Sequence, residues 1–285
     1  MSEPFDGETI RLGISTCPND TFAFHGLLER KVNWRGLKFQ VELLDIQQLN
    51  LALFQQRFDV AKASFHAALR LSETYLVLPS GSALGFGVGP LLLAARPFSV
   101  PLLGNEQRTW CPGEHTTASL LFQIFYPGCT RLEHVVFSDI MPGLQRGSAD
   151  FGVCIHEGRF TWQRDRLSLV EDLGTRWETE TNCPLPLGGL LARKELPADA
   201  IGRVQAVIRD SIDYAIGHPD ETFPTMRKYA QEFEDDVLMQ HVRLYVNDWT
   251  QDLGAAGRSS LVELSRLATK CGITPKDVVL EIFQV

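Results

Sequence analysis

Twice in this chain a helix-like stretch ends in a Gln-Arg pair, an aspartate follows, and a short apolar run closes in polar side chains. The first copy, LALFQQRFDVAKASFHA, begins at residue 51; the second, GLQRGSADFGVCIHEG, begins at residue 143. A short helix feeding a buried strand is the repeating unit of parallel α/β sheets, and such sheets bind ligands at the carboxyl ends of their strands. Two similar units with polar strand ends imply two sheets facing across a cleft, as in a bilobal binding protein. Chance likeness of two βα units is the alternative.

The rest of the chain alternates in the same way. Strands are expected at 9–14, 37–45, 59–64, 75–79, 91–95, 108–111, 134–139 and 150–155. Helices are expected after Pro18, over 46–56, from Phe65, up to about Phe125, over 140–146, and over 201–215, where Ile201, Val204, Ile208, Ile212 and Ala215 share one face. Thr274–Pro275 reads as a further helix start. The expectation is an α/β fold of two lobes, each a mixed, mostly parallel sheet flanked by helices. The first lobe takes residues 1–96 and 190–285, and the second takes 97–189.

Composition narrows the function classes. A net charge of −8 argues against nucleic acid, which needs a basic face to meet phosphates. No apolar run approaches the ~20 residues of a membrane span. The start MSEPFDGETI lacks the basic stretch and apolar run of a secretion signal, so a cytoplasmic location is expected. The six cysteines form no C-x-x-C pair, and the histidines show no metal-like spacing, so no metal is expected. His25, His66, His115, His134, His218 and His241 are read as surface or core residues.

Three stretches carry candidate chemistry. His156 stands at the end of the apolar run 151–155, where side chains open onto a ligand crevice, and an imidazole can accept a proton near neutral pH. A satisfied structural histidine is the plainer reading. Glu157 either orients His156 or pairs with Arg159, and the alternation of an extended chain favours the second. In CPGEHTTASLL, Thr116 and Thr117 precede an apolar helix. They either cap it or help a helix N-terminus hold an anion. In GSALGFGVGP, the spacing Gly85-x-Gly87-x-Gly89 leads into a strand, which rules out the dinucleotide fingerprint and fits strands crossing at a hinge. In the first βα copy, Lys62, Ser64 and His66 are the polar strand-end residues.

These stretches resemble one family. Residues 15–22, STCPNDTF, are similar to the S-P-C-P-N-D-T-F start of the 1,4-dihydroxy-6-naphthoate synthases of the futalosine route to menaquinone. DVAKAS, the GSALGFGVGPL loop, the PGEHTTA helix start and IHEGRFT continue the likeness in order, to about residue 190. Cys111 departs from the pattern, standing where an aliphatic residue is usual. The resemblance implies a fold like type II periplasmic binding proteins and a carbon–carbon lyase that needs no cofactor. It implies cyclic dehypoxanthine futalosine, a small molecule with a carboxylate, as substrate. On this chain it makes His156 the catalytic base. Ser64, Thr117 and Ala118 would hold the substrate's polar groups, with Thr116 beside its carboxylate. Asn19 and the loop glycines Gly85 and Gly87 would stand at the pocket wall, and Lys62 joins the candidate binding residues from its strand-end position in the first βα copy. Chorismate dehydration, or capture of a small carboxylate without turnover, are the competing readings.

Overall fold

The computed structural model describes residues 8–104, 106–156, 158–229, 234–276 and 278–284. Its strands are β1 (Thr9–Ser15), β2 (Lys38–Leu44), β3 (Val60–Ser64), β4 (Tyr75–Val77), β5 (Ala83–Gly85), β6 (Leu91–Ala94), β7 (Arg108–Cys111), β8 (Arg131–His134), β9 (Phe151–Cys154), β10 (Ser168–Asp172) and β11 (Leu185–Arg193). One sheet has the order β2-β1-β3-β11-β4, with β5 also on β11; the other has the order β10-β6-β9-β7-β8.

The two orders are the same plan. In each sheet the lobe's first strand lies between its second and third, and a strand running the other way separates the third from the fourth. Those reversed strands are β11 and β6, antiparallel to β3 and β9. They are also the two strands that arrive from the opposite lobe. The remaining described strands of each sheet share one direction, so both sheets are mixed but mostly parallel in sense.

The sequence copies fall on equivalent places. Asp59 accepts from the backbone N–H of Arg11 at 2.9 Å, and Asp150 accepts from that of Arg108 at 2.9 Å. Each aspartate thus ties the start of a third strand to the first strand of its own sheet.

Three expectations are corrected. Leu91–Ala94 pairs with β9 and β10 in the second sheet, and residues 185–188 of β11 pair with β5 in the first, so the sheets change over before residue 96 and before residue 190. A reversed strand belongs to the sheet it enters, and its apolar run carries no mark of which sheet that is. The strand expected at 134–139 lies instead at Arg131–His134, because its partner β7 ends at Cys111, opposite His134, before Pro112; residues 137–139 form a 3₁₀ turn. No helix follows Thr274–Pro275 among the described residues. That segment instead runs along the sheet edge, where Val77 N–H donates to Glu281 O at 2.8 Å and Phe283 N–H to Val77 O at 2.9 Å. The β-branched Val278, Val279 and Ile282 suit this extended path.

Candidate active site

The cleft between the sheets is lined from both sides. Counting its open mouth, it spans about 660 Å³. Apolar walls come from Ile46, Val88, Pro90, Ile155, Leu187 and Tyr245.

One polar wall grows from the ends of β1 and β3. After Ser15 the chain turns, and Pro18 opens the helix Pro18–Ala23 at a position where its missing N–H costs nothing. The helix start delivers Asn19 and Asp20. Lys62, on β3, donates to Asp20 Oδ1 at 2.6 Å and to the Gly81 carbonyl at 2.8 Å. Both charges are almost fully buried. Burial pushes the Asp20 carboxyl up, against the pull of Lys62. Asn19 Nδ2 donates to Asp20 Oδ1 at 3.0 Å. Ser64, the last residue of β3, exchanges hydrogen bonds with Asn50: its N–H donates to Oδ1 at 2.9 Å and its Oγ accepts from Nδ2 at 3.1 Å.

Opposite lies the helix Thr117–Phe125 of the second lobe. Thr116 is its cap, accepting from Ser119 N–H at 3.2 Å. Thr117 Oγ1 donates to the Leu187 carbonyl at 2.6 Å, so both hydroxyls serve the protein. The N–H groups of Thr117 and Ala118 have no partner among the described residues, and both residues line the cleft. Open N–H groups at a helix start make an anion seat.

His156 enters from the end of β9. Its backbone sits at φ +55°, a left-handed conformation that histidine adopts more readily than most side chains. The turn swings the half-buried ring into the cleft. Cys17 Sγ lies 3.3 Å from Nδ1 and 3.4 Å from Nε2, and Ser15 Oγ donates to that sulfur at 2.7 Å. Phe137 meets the ring edge-on at 4.9 Å. Arg159 anchors the turn, donating to the Gly89 carbonyl and to Asp172, both at 2.6 Å. Glu157 lies outside the described residues.

Seven of the expected residues therefore meet at the cleft: Asn19, Lys62, Ser64, Thr116, Thr117, Ala118 and His156. Gly85 and Gly87 do not line it. The glycine connection reaches the cleft through Val88, Gly89 and Pro90 instead, because Gly85 lies within β5 and Gly87 turns outward, its N–H donating to Glu178 at 2.6 Å. The glycine of this loop that a close backbone approach requires is Gly89: a Cβ there would stand 2.2 Å from the Gly174 Cα. Sequence reasoning missed Ser15, Cys17, Asp20, His241 and Tyr245. His241 corrects the expectation of a plain core or surface histidine. It is buried on the helix Asp235–Tyr245, yet it lines the cleft and stacks on His156, centroids 6.1 Å apart. Its place on the stripe Val237, Leu238, His241, Val242, Tyr245 marks it as inward-facing, but not as facing a ligand.

Among the described residues no group of three or more His, Cys, Asp or Glu side chains is placed to hold a metal ion, and no helix is long and apolar enough to cross a membrane.

The fold and cleft define a bilobal protein of periplasmic-binding-protein type. The alkanesulfonate-binding protein of Xanthomonas axonopodis pv. citri, solved with MOPS bound, matches at a TM-score of 0.71 over 98% of both chains, at 12% identity. A solved protein of Archaeoglobus fulgidus matches at 0.89, with 28% identity over 95% of this chain and 100% of that one. A family model described as menaquinone biosynthesis matches residues 10–270. A 1,4-dihydroxy-6-naphthoate synthase of Thermus thermophilus is 39% identical over 93% of this chain and 96% of its own, and one of Streptomyces coelicolor is 35% identical over 94% and 95%. The chain belongs to this menaquinone-biosynthesis family.

Proposed function

We propose that this protein is a carbon–carbon lyase that converts cyclic dehypoxanthine futalosine to 1,4-dihydroxy-6-naphthoate, releases a sugar-derived fragment and uses no cofactor. His156 is its general base. Family membership supports the reaction class. The observation that carries the site assignment is the meeting, on the second lobe's side of one apolar cleft, of a half-buried imidazole with a helix start whose first N–H groups are open among the described residues.

The parts divide the work. The substrate's carboxylate sits on the N–H groups of Thr117 and Ala118, where the helix dipole opposes the protein's net negative charge. That anchor places the ring system along Val88, Pro90 and Leu187. His156 takes a proton from a carbon beside a carbonyl; the electron pair so freed stays in the ring system as the carbon–carbon bond to the sugar-derived part breaks, that part leaves with the bond's pair and takes the proton back, and aromatisation of the new ring drives the reaction forward. A positioned base supplies roughly 10²–10⁴-fold, and rigid placement in an enclosed cleft supplies the remainder. Lys62 and Asp20 neutralise each other, so the wall beneath the substrate carries no net charge of its own.

The test is product analysis. The purified protein is incubated separately with cyclic dehypoxanthine futalosine and with chorismate, followed by chromatography with ultraviolet detection. A naphthoate product from the first is expected. Conversion of chorismate instead would move the activity to the dehydratase of the same route, and recovery of both compounds intact would leave a binding protein.

A further inference from the structure

His156 has a neighbour of the same kind in a very different state. His241 is almost fully buried, and its Nε2 lies 2.9 Å from Asn19 Oδ1. The hydrogen-bond chain behind Asn19 fixes which nitrogen carries the proton. Asp20 Oδ1 already accepts from the Lys62 ammonium, so towards Asn19 it is an acceptor as well. Asn19 must therefore donate through Nδ2 and present Oδ1 to His241. His241 Nε2 must in turn be the donor. Burial holds the ring neutral, pushing its pKa well below 6.5, and the neighbouring His156 pushes the same way. A neutral ring with hydrogen on Nε2 leaves Nδ1 as a bare lone pair, and that atom is buried with no partner among the described residues.

An acceptor buried without a donor is costly and is rarely kept without a use. Here the ring lines the ligand cleft and lies against the ring of the base. We propose that His241 is a substrate-binding residue: its Nδ1 accepts a hydrogen bond from a hydroxyl of the substrate's sugar-derived part, setting that part beside His156. The chain Lys62–Asp20–Asn19–His241 holds the acceptor in place from the first lobe, while the base comes from the second. The inference rests on the lyase reading and extends it from the carboxylate end of the substrate to its hydroxylated end.

Two variants and one spectrum test it, after turnover by the wild type has been established. His241→Phe removes both nitrogens. His241→Gln keeps a donor for Asn19 and removes the acceptor at the Nδ1 position. The expected result is a KM raised about tenfold in both, the worth of one hydrogen bond, with kcat changed less. If the glutamine restores the wild-type KM, His241 only supports the wall and the inference is wrong. In ¹⁵N spectra of the His156→Asn protein, His241 should show a protonated Nε2 and a bare Nδ1. Added substrate should move the Nδ1 resonance towards the hydrogen-bonded range; an unmoved signal at saturation overturns the proposal while leaving the lyase in place. A wild type with no turnover is a separate outcome, which removes the lyase reading and this inference with it.

Discussion

β3 and β9 are third strands of the same plan, each led in by an aspartate tied to the first strand, and each followed by a histidine two residues past its last residue. There the likeness stops. After β3 the chain continues directly into the helix Phe65–Leu71. His66 is buried in it, 3.2 Å from the Thr116 carbonyl, and burial pushes its pKa down to about 4. After β9 the chain turns left-handed, and His156 stays half-buried at the cleft. The pair teaches that a repeated fold can hold asymmetric chemistry. The first lobe closes its strand end with buried, desolvated groups: His66 holds the Thr116 carbonyl through Nδ1, while its Nε2 is buried without a partner among the described residues. The second leaves its strand end turned out, where an imidazole stands half-buried at the cleft. A base pushed as far down as His66 would be a poor acceptor at neutral pH.

The largest expected effect separates these two histidines. His156→Asn should lower turnover by at least two decades, within the roughly 10²–10⁴-fold range of a general base, while substrate binding stays near normal. His66→Asn should leave the folded enzyme's turnover within about threefold, since its ring serves the wall. Steady-state kinetics on both variants decide it, and equal losses would erase the contrast. The next effect falls on the wall itself. Lys62→Met leaves the Asp20 carboxylate buried without its cation, which should cost about 3–5 kcal/mol of stability. Urea unfolding measures it. A loss below about 1 kcal/mol would mean that water reaches this pair and that the wall is not the dry, fixed surface described.

Much of this contrast is legible in the sequence. The third strands, the Pro18 helix start and the Thr116 cap are local signals, written in periodicity and in residues that satisfy orphan N–H groups within a few positions. His156 and Ser64 follow from them, because strand ends are where α/β sheets meet ligands. What is not legible depends on contacts distant in the chain. The sheet that β6 or β11 joins is set by the lobe it crosses into. The Thr-Pro pair near the C-terminus signals a helix start, but an open edge at Val77 draws that segment out as a strand partner. His241 arrives from 222 residues beyond Asn19, and nothing around it signals a cleft. Gly85, Gly87 and Gly89 share one spacing, and only the fold shows that Gly89 is the one of the three pressed against another backbone.

Acid should weaken the fold through its closed strand end. In the unfolded chain His66 titrates near 6.5, and in the folded protein only near 4. Between these values the unfolded state binds more protons, so stability present above pH 6.5 is lost as pH falls towards 4, at up to about 1.4 kcal/mol per pH unit for this group. His241, also depressed, adds to the slope on the same side. Urea unfolding at about pH 7, 6 and 5 should show the decline, and His66→Asn should flatten it. A variant that declines as steeply as the wild type would place the acid sensitivity elsewhere.

The smallest effect tests whether the helix start facing the wall is a cap, a ligand seat or both. Thr116 Oγ1 satisfies the Ser119 N–H, while the N–H groups of Thr117 and Ala118 are left open among the described residues. The two functions therefore use different donors of one helix end. Thr116→Val removes the cap and should cost about 1 kcal/mol of stability. Because the seat is backbone, the substitution should leave the KM within about twofold wherever the protein is folded. If the KM instead rises about tenfold with little loss of stability, the Thr116 hydroxyl itself touches the substrate, and cap and seat are one group. If stability falls and the KM holds, the second lobe keeps the support of this helix end and its open donors on separate atoms.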